Sequence, residues 1–200
     1  MTDTPFNKDY WDTRYQDHQI GWDLGEVSPP LKAYFDTIEN KSISVLIPGC
    51  GNSYEADYLL SLGFTNVTLI DISPTLVNQL QQKHQGNAAI NIIEGDFFEH
   101  QAQYDLIVEQ TFYCALHPSL RQNYDNKMSE LLKSDGLLVG LLFASHFQTP
   151  GPPFGGTMPE YKDCFADQFE ILTMEPCYNS FQKRQGNELF IKLKNKNVKR

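Results

Sequence analysis

The stretch "VLIPGCGNSYEADYLLSLGFTNVTLIDIS", residues 45–73, constrains the fold more than any other part of the chain. It opens on a short continuous apolar run ending in Pro-Gly and closes on a second run ending in an acid, each the length of a strand buried on both faces. Between them "SYEADYLLSLG" starts polar, spaces apolar side chains at Tyr54, Tyr58, Leu59 and Leu62, and reaches Gly63, placed to stop a helix. Strand, helix, strand in that order gives two parallel strands of one sheet joined by a right-handed crossover.

The same alternation runs on. "VSPPLKAYFDTI" predicts a helix capped by Ser28 with proline in its first turn, preceded by an aromatic arm, and "SPTLVNQLQQKH" repeats that start. "AINIIEGD" and "YDLIVEQT" read as strands, "HPSLRQNYDNKMSELLKSDG" as a long helix closed by glycine, and "LLVGLLF" as a fifth strand. "QTPGPPFGGTMPEY" reads as a Pro/Gly-rich loop, while "FEILTMEPC" and "NELFIKLK" predict a hairpin adding antiparallel strands at the edge. The expectation is one α/β domain spanning 1–200, a mostly parallel sheet with helices on both faces.

Ligands of such sheets bind beyond the carboxyl ends of the strands. A P-loop needs a lysine followed by Ser or Thr at the end of the glycine turn, and this turn has neither. A dinucleotide fingerprint needs a third glycine where this chain has Tyr54. What remains is that Gly49 and Gly51 let backbone approach a ligand, while the next helix offers N–H groups to an anion such as a carboxylate. Asp71, ending the second strand, is placed to accept from two ribose hydroxyls. Asp96 in "EGDFF" suits an adenine amino group with Phe97 flanking the ring, or equally a turn former with core phenylalanines behind it. Carboxylate, ribose and adenine without a pyrophosphate describe S-adenosylmethionine.

Composition narrows the partners. Sixteen basic against 25 acidic residues give a net charge of -9, which repels nucleic acid, and "KLKNKNVKR" reads as a solvated terminus. No apolar run approaches the roughly 20 residues of a membrane helix. Cys50, Cys114, Cys164 and Cys177 show no CxxC pair, so neither a disulfide framework nor a metal site is expected, and the amino terminus lacks the blocks of a signal peptide. A reducing cytoplasm is expected. Cys114 has no His and acid placed to activate it, and His117, before a proline at a helix start, suits capping better than general-base chemistry.

The stretches "YWDTRYQDHQIGWDLGEVSPPL", "VLIPGCGNSYEADYLLSLGF", "GDFF", "YDLIVEQTFYCALHPSLRQNY", "LLKSDGLLVGLLF" and "GPPF" together resemble the thiopurine S-methyltransferase family, and within it the thiol and halide methyltransferases. The resemblance implies a Rossmann-like class I methyltransferase fold with seven strands and an S-adenosylmethionine cofactor. It further implies that Trp11, Tyr15 and Trp22 in the arm (1–27) line the cofactor, that Gly49 touches its methionine part, and that Glu109 lies near the methionine amino group. Phe112, Tyr113 and Arg121 would face the acceptor, under a lid (144–159) carrying Phe154. Mammalian thiopurine members differ where this chain has "EQTFYCALHP", which points away from thiopurines themselves.

The resulting expectation is methyl transfer to a small soft nucleophile, a thiol, hydrosulfide, thiopurine-like sulfur or halide, by a monomer with no nucleic-acid or membrane partner. An activated methyl needs alignment and dryness more than acid-base machinery, which fits a chain with no evident triad. An NAD-dependent oxidoreductase and a non-catalytic cofactor-binding module are the alternatives.

Overall fold

The computed structural model describes residues 5–197. Within it lie β1 (Val45–Pro48) and β2 (Val67–Asp71), each buried along its whole length, as continuous apolar runs require. They pair in parallel, Val45 beside Val67 and Pro48 beside Ile70. The chain returns between them through α3 (Tyr54–Ser61). Outward from β2 lies β3 (Ile90–Glu94), reached through α4 (Pro74–Lys83). On the other side of β1 lies β4 (Tyr104–Gln110), then β5 (Leu132–Phe143), which follows α5 (Arg121–Leu131). The carboxyl-terminal hairpin of β6 (Phe169–Pro176) and β7 (Glu188–Asn195) completes a seven-stranded sheet, ordered β3-β2-β1-β4-β5-β7-β6.

β7 runs antiparallel to both β5 and β6, so β6 again points the same way as β5. The strand order reverses direction between β1 and β4, which opens a crevice beyond their carboxyl ends.

Period-two alternation divides the core. In β1, Leu46 packs into one cluster with Tyr124, Met128 and Leu131 of α5. Val45 and Ile47 pack into the other, with Leu31 and Phe35 of α2 (Pro29–Asp36), Leu59 of α3 and Leu76 of α4. Helices therefore cover both faces.

Local chemistry departs from expectation at several points. The residues read as an arm contain a helix, α1 (Lys8–Gln16), capped by the Asn7 side chain, which accepts from Tyr10 N at 3.1 Å. Ser28 makes no side-chain cap, whereas Ser73 does, accepting from Leu76 N at 3.2 Å. The buried face of α3 is Glu55, Ala56 and Leu59 rather than the tyrosines, because Glu55 turns inward to accept from Ser28 N at 3.2 Å. The helix read to Gly136 stops at Leu131: Leu132 pairs with Tyr104 and starts β5, with Asp135 at φ 62 in an irregular entry. β3 is an edge strand and only half-buried.

The loop read over 148–161 gives way at Met158 to α6 (Met158–Phe165), whose start has a capping box between Thr157 and Glu160. The tail read as solvated is strand as far as Asn195, and its last residues, 198–200, lie outside the described residues, as do residues 1–4 of the arm. No helix among the described residues is long and apolar enough to cross a membrane.

Gly140 lets β5 lie against β4 at the register pair Glu109 and Gly140. A Cβ there would stand 2.3 Å from Glu109 O, which is backbone and cannot step aside. Gly140→Ala is therefore expected to cost about 1–3 kcal/mol in urea unfolding. Gly21→Ala, where nothing lies within 4 Å of the added carbon, should stay within roughly 0.5 kcal/mol of wild type. Equal losses at the two sites would refute the packing account.

Candidate active site

The crevice holds a cavity of about 950 Å³, large for a small-molecule site. Its floor is the turn after β1. Gly49 and Gly51 both sit at φ +52, in the left-handed region that favours glycine. Gly49 has a further reason to lack a side chain: a Cβ would fall 2.1 Å from Cδ2 of Phe112, whose ring crosses from the end of β4. The turn leads into α3 through Ser53, also left-handed at φ 52, so the helix presents its N-terminal end to the cavity.

Asp71 stands at the end of β2 with its carboxylate in the cavity wall. Ser73 N donates to its Oδ1 at 3.0 Å and Gly51 N reaches Oδ2 at 3.5 Å. Burial pushes the carboxyl up to about 6, against the pull of the Ser73 and Gly51 N–H groups. Both open readings of "EGDFF" meet in one turn. Asp96 Oδ1 caps it, accepting from Phe98 N at 2.9 Å, and Phe97 is buried against Phe112 with ring centres 5.1 Å apart, yet both residues line the cavity. From above, α1 and the loop after it bring Trp11, Tyr15 and Trp22 to the same cavity as an edge-to-face cluster, with Trp22 centred 5.6 Å from Trp11 and 5.8 Å from Tyr15.

Four expected side chains stand elsewhere. Glu109 is fully buried and outside the cavity lining: Oε1 accepts from Phe112 N (2.8 Å) and Tyr113 N (2.9 Å), Oε2 from the Tyr124 hydroxyl (2.6 Å). With both oxygens engaged inside the protein it is a clamp on the loop after β4, and that clamp holds Thr111 at φ 60, where a β-branched residue is strained. Tyr113 is core, packed among Tyr124, Tyr161 and Phe165, because the clamp turns it inward. Arg121 does not face the acceptor side; Nη2 donates to Gly155 O at 2.7 Å and its guanidinium lies 5.1 Å from the centre of the Tyr113 ring, so it ties down the glycine-proline loop. Phe154 does not cover the cavity itself. Its N–H donates to Cys114 O at 2.7 Å and its ring packs edge-on against Phe6, while Pro152 and Pro153 reach the cavity.

Cys114 is buried and its thiol pushed up to about 12 by burial and then by Glu109, which suits an inert residue. His117 caps the turn Pro118–Leu120, its Nδ1 accepting from Ser119 N at 3.3 Å.

The structure adds residues that the sequence did not single out. Gln110 lines the cavity one residue after Glu109, and its Oε1 is buried without a hydrogen-bond partner; Ser53 Oγ, at the start of α3, is in the same condition. Lys183 and Arg184 line the cavity from the loop between β6 and β7.

Arg184 is buried, donating from Nη2 to Trp22 O at 2.7 Å and pairing through Nη1 with Glu188 Oε1 at 3.4 Å. One sign of this was available: a loop that follows a strand parallel to β5 must emerge on the ligand side.

The family model for thiopurine S-methyltransferase matches residues 6–199. The chain belongs to that family. Within reach of the family, probable thiol methyltransferase 2 of Arabidopsis thaliana is 31% identical over 157 residues, covering 76% of this chain and 69% of that protein. Thiocyanate methyltransferase 1 of Brassica oleracea is 26% identical over 184 residues, covering 89% and 81%. Among solved structures, a Burkholderia thailandensis 1,6-didemethyltoxoflavin-N1-methyltransferase with bound S-adenosylhomocysteine shares the fold at a TM-score of 0.74 and 19% identity, covering 95% of this chain and 87% of that one.

This thiopurine S-methyltransferase family member is thus an S-adenosylmethionine-dependent methyltransferase of the class I fold, and the nicotinamide alternative falls away. The cavity fits the cofactor on its own evidence. Its glycine floor admits close approach, and Ser53 and Gln110 in its lining each carry a buried oxygen without a partner in the protein, polar capacity left for a zwitterionic ligand.

The Glu109 clamp has a pH signature. Burial raises its carboxyl from 4.5 to about 7, outweighing the Tyr124 hydroxyl and the Tyr113 and Phe112 N–H groups. A folded-state value above the unfolded one means the native state holds the proton more tightly, so Glu109 costs stability as pH rises through that window. Glu109→Gln should therefore gain on wild type by about 3 kcal/mol between pH 4 and pH 8 in urea unfolding. Parallel stability profiles for the two proteins would contradict this.

Proposed function

We propose that this methyltransferase transfers the methyl group of S-adenosylmethionine to a small organic thiolate, with other soft anions as poorer acceptors. The observation that carries the reading is one cavity whose lining brings Asp71, the glycine turn, Ser53 and Gln110 together with Lys183 and a set of aromatic side chains. The cofactor, when bound, supplies an electrophilic methyl on a sulfonium.

The rest falls to the protein. Asp71 accepts from the ribose hydroxyls, the start of α3 with Ser53 receives the methionine carboxylate, and Gln110 Oε1 accepts from the ammonium. This places the ammonium on Gln110 instead of Glu109. Asp96 with Phe97 flanks the base, and Trp11, Tyr15 and Trp22 of the arm (1–27) close over the cofactor and exclude water. The lid (144–159), through Phe147 and Pro152, forms an apolar chamber for the acceptor with Phe143 and Leu116.

Lys183, exposed on the cavity wall, draws in an anion and favours the ionised thiol, while Arg184 is committed to Trp22 O and Glu188. A thiol with a pKa near 8 to 9 is already a few per cent thiolate at neutral pH, so alignment and dryness suffice without a general base. The charges of acceptor and sulfonium cancel as the methyl moves, which a dry chamber favours. A monomer in a reducing cytoplasm is part of this reading.

The test is S-adenosylhomocysteine formed with a panel of aromatic thiol, alkyl thiol, hydrosulfide, thiocyanate and iodide. Organic thiols should give the highest kcat/KM, rising with pH as the thiol ionises; turnover of iodide or thiocyanate alone would sink the thiolate assignment. In the same assays Asp71→Ala should weaken S-adenosylhomocysteine binding by roughly 1–3 kcal/mol with the order of acceptors unchanged. A reordered panel would move Asp71 to the acceptor side.

A further inference from the structure

The arm helix touches the rest of the protein at a place that bears directly on Asp71. Asp12 lies on α1 beside Trp11 and three residues before Tyr15, and its side chain reaches the start of α4. Oδ1 accepts from Ser73 Oγ at 2.6 Å and from Thr75 N at 2.9 Å, while Oδ2 accepts from Gln16 Nε2 at 2.6 Å. An aspartate borrowed from α1 thus caps α4, where the helix dipole favours negative charge.

Ser73 is the shared node. It is fully buried and each of its polar groups is committed: N–H to Asp71 Oδ1 at 3.0 Å, hydroxyl hydrogen to Asp12, and hydroxyl oxygen to Leu76 N. One serine therefore joins the acid that faces the cavity to the helix that covers it. The other ionic tether of α1, Lys8 to Glu94 at 2.6 Å, joins side chains that are 49% and 43% exposed, and exposed pairs hold little. Asp12 makes the better-sheltered contact, to donors that lose their protein acceptor if it goes.

We infer that Asp12 is a positioning residue for the cofactor: it latches α1 over the cavity and, through Ser73, holds Asp71 in place, so that it sets how long the cofactor stays bound. This rests on the cofactor reading given above.

The chain's two tryptophans, Trp11 and Trp22, both line the cavity, so intrinsic fluorescence reports on the arm directly. Release of S-adenosylhomocysteine, followed by stopped-flow fluorescence, should be roughly tenfold or more faster in Asp12→Ala, the scale of a lost charge-assisted hydrogen bond. Asp12→Asn keeps an oxygen that accepts from Ser73 and Thr75 and should recover most of the retention. Lys8→Ala should stay within about twofold of wild type.

A second measurement covers the case of a damaged fold. Limited trypsinolysis without ligand should cut after Arg14 sooner in Asp12→Ala than in wild type, with the fragment beyond the arm intact by mass. Wild-type release rates in Asp12→Ala, or cleavage spread evenly over the chain, would overturn the latch. Absence of S-adenosylhomocysteine binding to the wild-type protein would instead refute the cofactor reading, and the trypsin comparison would still judge the latch.

Discussion

The contact between the Phe112 ring and the bare backbone of Gly49 fixes the geometry on which the site depends. It is made where β1 and β4, neighbours in the sheet, send their following loops in different directions. A side chain at Gly49 would drive the β4 loop outward, and with it Gln110 and the strained Thr111. The Glu109 carboxylate holds that loop from beneath by taking the Phe112 and Tyr113 N–H groups. Close approach from one strand and a buried clamp from the other determine a single corner.

Two buried carboxylates at strand ends serve this arrangement differently. Asp71 keeps a face on the cavity and is held by backbone N–H groups. Glu109 is spent entirely on the protein's own donors. Both are raised by burial, yet only the first is free to receive hydroxyl donors from outside. Position at a strand end is thus a poor guide to role; the partners of each oxygen decide it.

The strands, most helices and much of the lining of the candidate cavity were legible because they follow from local signals. Continuous apolar runs ending in Pro-Gly and in Asp71 mark β1 and β2, and the left-handed glycines mark the floor between them. What escaped depends on contacts across the chain. Glu55 turns into the core because Ser28 N needs an acceptor, and Leu132 leaves the helix because Tyr104 offers a strand partner. Arg121 looks like a site cation until Gly155 O is seen to occupy it, and Arg184 looks like a surface residue until Trp22 O is found beside it. Residue type does not distinguish the two cases; only the direction of β6, which sends its following loop to the ligand side, marks the second.

The hydrogen bond from Arg184 to Trp22 O joins residues 162 positions apart. The aromatic arm is synthesised well before the turn that receives it. Contacts of such separation form late in folding, after loop closure has been compensated by the rest of the core. A chain with its inner strands already paired would therefore still have an open crevice, closed only when the β6–β7 hairpin is in place.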